Sequence, residues 1–259
     1  MENRLPSLTV NPEVDAHEYL EQLRANCNRI AELTEVAPID TMVPTCPDWS
    51  VHDLVTHLGT VHRWSAAALA TGSPPPRAVS EVAEPRDQMM LAAWFRAGAE
   101  ALLATLAATD PAAPTWHPFA DEQVAAVWFR RQAHEAAIHR WDLEHALDAV
   151  TEIPAEMAAD GIDEYLEIGI RRIIARDATT APTGSLHLHC TDVHGEWLVR
   201  LDEDQLEMRR EHAKGDAAVR GTAEAIWLRL LNRPVDDLAP LDILGDGAVA
   251  ESWLSLPGL

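Results

Sequence analysis

The chain has 259 residues, 47% of them hydrophobic and 24% charged. These are the proportions of a folded globular protein with room for one large domain or two smaller ones. Twenty basic against 42 acidic residues give a net charge of −22, which argues against nucleic acid and anionic membranes as partners, since both need clustered Lys and Arg.

Residues 1–12 read as a polar lead-in, and Met1-Glu2-Asn3-Arg4 lacks the basic-then-apolar pattern of an export signal. No apolar run reaches the roughly 18–20 residues of a membrane span. Cys27, Cys46 and Cys190 are too few and too scattered for a disulfide framework. A reducing cytoplasm is the simplest expectation. A small molecule is the expected partner, and monomer and homodimer both stay open. Only Lys214 among the basic residues is Lys, and Trp (nine) outnumbers Phe (three) and Tyr (two). Trp of this abundance is expected to line a core or a pocket.

From Val14 to about Val36, Leu20, Leu23, Cys27, Ile30 and Leu33 recur at helical steps, predicting a first helix. Pro38, Pro44 and Pro47 break it into a loop over residues 37–49. Ser50 and Asp53 resemble a capping box that opens a second helix, Val51 to about Ala70. Its stripe is Val51, Leu54, Val55, Leu58 and Val61, and Gly72-Ser73-Pro74 ends it. A third helix is expected from about Pro85 to Ala108, a fourth from about Asp121 to Leu147 and a fifth over 155–176. Residues 177–184 read as a linker. Beyond it the period becomes two. Strands are expected at 186–190, 197–201, around Leu206 and Met208, and at 217–220, with helices over 221–231 and 247–256. The predicted class is α+β, a helical bundle over residues 1–180 followed by a small α+β domain over 181–259.

The fourth helix carries an anomaly. Its stripe starts with Val124 and Trp128 and continues as Arg131, Glu135, His139 and Asp142. Burying such groups unpaired costs several kcal/mol each, on the order of the penalty for any buried charge. Either this face turns to solvent or the groups satisfy one another around something. Glu135 and His139, four residues apart, stack one turn apart and can reach one metal ion. His57, beside the apolar stripe of the second helix, is the chosen third ligand, with His62 as its substitute. Asp53 is expected to hold the other nitrogen of His57, and Arg131 and Asp142 to support Glu135 and His139. Two His and one carboxylate leave a coordination position open, the pattern of a catalytic rather than a closed site. His52, His62, His134 and His145 are read as surface or supporting residues. Cys46 is read as loop packing, because no base is evident beside it, and Cys27 as inert core. His187, His189 and His194 are read as outward residues of an alternating strand rather than as ligands.

Two segments resemble a known family. Cys46-Pro47-Asp48-Trp49-Ser50-Val51-His52-Asp53-Leu54-Val55-Thr56-His57-Leu58-Gly59 resembles the entry to the second helix of the mycothiol-dependent maleylpyruvate isomerase family. His134-Glu135-Ala136-Ala137-Ile138-His139-Arg140-Trp141-Asp142 is similar to its fourth-helix motif. The resemblance implies a DinB-like up-down-down-up four-helix bundle, an extra helix, and a sterol-carrier-like C-terminal domain. It implies a divalent metal, usually zinc, on His57, Glu135 and His139, and mycothiol, the small thiol of actinobacteria, as cosubstrate. The expected activity is an isomerase or a thiol S-transferase in which metal activates the thiol for addition to an electrophile. An Arg of the C-terminal domain is catalytic in that family. Arg233 is the match here, with Asn232 where the family has Gly. The alternatives are a non-catalytic small-molecule binder or regulator with a structural or vestigial metal, and a metal-dependent hydrolase.

Overall fold

The computed structural model describes residues 16–80, 84–119, 123–176, 181–202, 205–235, 238 and 240–256. The chain divides into two compact units, Met1–Thr151 and Glu152–Leu259.

The first unit is built on four long helices: α1 (Ala16–Val36), α2 (Val51–Thr71), α3 (Gln88–Ala107) and α4 (Ala126–Ala146). α1 packs between α3 and α4, and α2 packs between the same two helices, so the consecutive helices α1 and α2 meet only marginally. The core holds Leu23, Ile30, Leu54, Leu58, Phe95, Leu102 and Trp128. By length and composition α3 would suffice to cross a membrane, a reading the apolar-run criterion missed. Its Leu91, Phe95, Leu102 and Leu106 are fully buried here. The start expected for the fourth helix, at Asp121, lies outside the described residues; among them the helix begins at Ala126.

Two local features fix how α2 is presented. Ser50 Oγ accepts the N–H of Asp53 while the Asp53 carboxylate accepts the N–H of Ser50, closing the expected capping box. The preceding loop folds back on itself, with the Val43 N–H bonded to Trp49 O and the Val51 N–H to Thr41 O, both at 2.8 Å. Asp48, at φ +70°, makes the reversal. Thr45, Cys46 and Trp49 are thereby placed on one short excursion between α1 and α2.

The second unit joins α5 (Ala155–Glu164), a π turn (Tyr165–Gly169) and α6 (Ile170–Arg176) to a five-stranded sheet and two further helices, α7 (Ala223–Leu230) and α8 (Gly247–Leu254). The strands are β1 (Ser185–Cys190), β2 (Glu196–Asp202), β3 (Gln205–Arg209), β4 (Ala217–Gly221) and β5 (Asp242–Gly245), in the order β3-β2-β1-β4-β5. All pairings are antiparallel except β1 with β4. The compact units therefore part at Thr151 and Glu152, ahead of the expected boundary at 180. The reason lies in α5. A Cβ on Gly161 would stand 2.2 Å from the Trp227 ring of α7, and Asp163 accepts the indole N–H of Trp197 at 2.7 Å. The fifth helix thus builds the core of the second unit. The edge strand β5 escaped sequence reading because all four of its residues are exposed, so no alternation marks it.

Candidate metal centre

α4 is buried nearly all round, which explains its polar character: the charged groups find partners inside the unit. At its C-terminal end Glu144, fully buried, accepts from Arg29 Nε at 2.8 Å, from the Thr151 N–H at 3.0 Å and from Arg140. One turn and more toward the N-terminus, the groups converge instead on a shared point with α2.

His57 Nε2 lies 3.1 Å from Glu135 Oε1, and His139 Nε2 lies 3.5 Å from the same oxygen. One ligand atom from each of His57, Glu135 and His139 falls within 4.8 Å of the others. The i,i+4 spacing delivers the pair on α4, and the buried stripe of α2 delivers the imidazole facing it. The two imidazole centroids are 5.4 Å apart. Arg131 bonds the second Glu135 oxygen. Asp142, fully buried, takes His139 Nδ1 at 2.9 Å, and with it the hydroxyl of Thr45 at 2.6 Å and the thiol of Cys46 at 3.5 Å. The supporting partners are therefore Arg131 for Glu135 and Asp142 for His139. Asp53, by contrast, does not hold His57: its carboxylate is committed to the helix cap, and the Ser50 hydroxyl and N–H together lower its pKa.

Electrostatics follow from this packing. Burial on its own would push the Glu135 carboxyl up, but the Arg131 guanidinium and the two imidazoles hold it well below the usual carboxylate range. Burial would likewise depress His139, yet its contacts with Asp142, Cys46 and Glu135 hold its pKa well above the usual value. The trio is accessible from one side: the His57 side chain is 35% exposed, against 14% for Glu135 and 11% for His139.

The loop residues are what sequence reading missed. Trp49 lies over both imidazoles, its ring 4.8 Å from His57 and 5.9 Å from His139. Cys46 has Asp142 and His139 beside it, which corrects the expectation that no base adjoins it. Among the other histidines, His52, His62 and His134 are buried rather than superficial. His52 reaches Pro85 O at 3.1 Å, and His134 meets the Tyr19 ring edge-on. His62, the proposed substitute ligand, packs on Phe95 instead, and neither of its ring nitrogens has a hydrogen-bond partner among the described residues. Cys27 is buried with its thiol pushed up to about 12 by desolvation, as expected of an inert core residue.

Arg233 lies in the second unit, where its guanidinium donates to Leu231 O at 2.8 Å. Asn232 ahead of it adopts φ +60°, the left-handed conformation that ends α7. Asn is the residue that best tolerates that conformation after Gly, so the exchange leaves the turn intact.

Comparison with known proteins agrees with this architecture. Residues 20–144 match the family model described as the mycothiol maleylpyruvate isomerase N-terminal domain. Two solved structures share the fold across both units. The crystal structure of the mycothiol-dependent maleylpyruvate isomerase aligns with a TM-score of 0.57 at 13% identity, covering 89% of this chain and 93% of that one. A histidine-to-alanine mutant of that enzyme gives 0.59 at 14% identity with the same coverage. No curated protein matches the chain in sequence.

Proposed function

From a helical unit whose residues 20–144 match the mycothiol maleylpyruvate isomerase N-terminal domain model, we propose that the chain is a metal- and mycothiol-dependent enzyme, an isomerase or S-transferase acting on an electrophilic small molecule. The observation that carries this reading is the convergence of His57, Glu135 and His139 within 4.8 Å. Two imidazoles and one carboxylate are the donor set of a zinc-type ion with a position left open. Each of the two α4 donors has its second atom tied down, Glu135 by Arg131 and His139 by Asp142, as ligand residues require.

When bound, a divalent cation supplies Lewis acidity that keeps a thiol in its reactive thiolate form near neutral pH. The chain's own residues do the rest. Asp142 keeps the His139 proton on Nδ1 and so presents Nε2 to the site. Arg131 balances the Glu135 charge. Trp49 shields one side of the two imidazoles from water, and the exposed edge at His57 leaves the approach for thiol and electrophile. In an isomerase the thiol adds to a conjugated double bond, the bond between the former alkene carbons rotates, and elimination returns the thiol. In a transferase the adduct is the product. Arg233 is proposed as the residue that holds a substrate carboxylate, on the strength of the resemblance. A reducing compartment fits three cysteines that form no disulfide among the described residues.

The test joins metal analysis to calorimetric titration with mycothiol, on the wild type and on His57→Ala. The wild type is expected to bind mycothiol only when metal-loaded, and His57→Ala to lose one equivalent of metal together with thiol binding. Thiol binding that survives chelation in the wild type contradicts the proposal. Metal retention without thiol binding favours the structural-metal reading. Turnover that needs metal but no thiol favours the hydrolase.

A further inference from the structure

The second unit gathers a separate set of ligand-type side chains. His187 and His189, two apart on β1, share one face of the sheet, opposite the face of the fully buried Leu186 and Leu188. Glu196 on β2 stands directly across from His189 in the antiparallel register, on the same face. Past β3 the chain brings His212 back over the same carboxylate. Glu196 Oε1 lies 2.6 Å from His189 Nδ1, and Oε2 lies 2.7 Å from His212 Nδ1. His187 Nε2 lies 3.6 Å from that second oxygen. The three imidazole rings surround the carboxylate, with centroids 5.2 to 6.4 Å apart.

Hydrogen bonding alone leaves this arrangement unexplained. Two histidines already satisfy the two oxygens of Glu196. The third, His187, is 7% exposed, and its Nε2 is buried with no hydrogen-bond partner among the described residues. A buried imidazole nitrogen aimed at an occupied carboxylate oxygen, just beyond bonding distance, is an unmet cost. A cation between them removes it. One ligand atom from each of His187, Glu196 and His212 lies within 4.8 Å of the others, a spread that a single ion spans with small side-chain adjustments.

We propose that His187, Glu196 and His212 form a second metal site, independent of the first, for a divalent transition cation. His189 acts as a positioning residue that fixes the carboxylate through Oε1. Imidazole nitrogens with a single carboxylate suit zinc, nickel or copper, and they disfavour calcium and magnesium, which take oxygen ligands. With three protein ligands the ion keeps further positions for water or a small-molecule donor. The sheet holds two of the ligands on rigid neighbouring strands. The third, on the exposed segment after β3, completes the site.

The test is a zinc titration of the full, chelator-stripped chain by equilibrium dialysis at low micromolar free zinc, with wild type, His212→Ala, His57→Ala and the double variant. The His212 side chain is 79% exposed, so its substitution leaves the fold intact, and far-UV circular dichroism checks this. The wild type is expected to take up two equivalents, each single variant one, and the double variant none. Magnesium and calcium are expected to give no uptake that depends on His212. If His212→Ala binds as many equivalents as the wild type, the second site is overturned. A wild type that binds one equivalent, lost in His212→Ala but kept in His57→Ala, keeps this site and removes the first. The failures of the two readings are thus told apart.

Discussion

Asp142 decides which nitrogen of His139 faces the ligand trio. Fully buried, it accepts from His139 Nδ1, Thr45 and Cys46 at once, and so holds the ring from behind. Replacing it with Ala removes the partner that orients a ligand imidazole, a change that typically costs about 10–100-fold in metal affinity. Competition of Asp142→Ala with a chromophoric chelator for zinc is expected to show a drop of that size. Unchanged affinity would mean that Asp142 only packs. Glu135, His139 and Asp142 were legible from spacing, because a helix fixes the direction of residues three and four apart. His57 was legible because it borders an apolar stripe. Thr45, Cys46 and Trp49 were not, since their direction depends on a loop closed by long-range backbone bonds between Val43 and Trp49 and between Thr41 and Val51. No period in the sequence encodes that closure.

At the scale of elements, α2 is aimed by its cap and by its closeness to α3. Ser50→Ala removes the hydroxyl that accepts the Asp53 N–H and is expected to cost about 1 kcal/mol of stability, read by chemical denaturation. Gly59 permits the close approach: a Cβ there would stand 2.1 Å from the Trp94 ring. Gly59→Ala therefore forces the two helices or the indole to shift. It is expected to destabilise by about 1–3 kcal/mol, the usual cost of overpacking, with the thermal midpoint as readout. Wild-type stability in Gly59→Ala would show that Trp94 yields freely. The capping box was readable because its chemistry is local, whereas the π turn and β5 were not. The first is a register change inside a continuous helical pattern, and the second is an edge whose Ile243 and Leu244 both face solvent. The allocation of α5 to the second unit was hidden too, because an apolar face does not name the surface it packs on.

For the whole molecule, His62 links stability to pH. It is fully buried and its pKa is lowered to about 3, mainly by desolvation. The unfolded imidazole protonates near 6.5, so between those values the unfolded chain binds a proton that the folded chain refuses. Stability from this group is complete above about pH 6.5 and falls as pH drops below it, by up to about 1.4 kcal/mol per unit. Urea midpoints of the chelated protein at pH 7.5 and 5 are expected to differ less in His62→Leu than in the wild type. An equal difference would assign the acid sensitivity to other groups. The proposed chemistry depends on two helices presenting His57, Glu135 and His139 to one cation. Anomalous diffraction at the zinc edge from crystals of the zinc-loaded chain tests this most directly. A peak about 2.0–2.2 Å from one atom of each of the three residues is the predicted result. Full zinc occupancy elsewhere, with no density among these three, would contradict it.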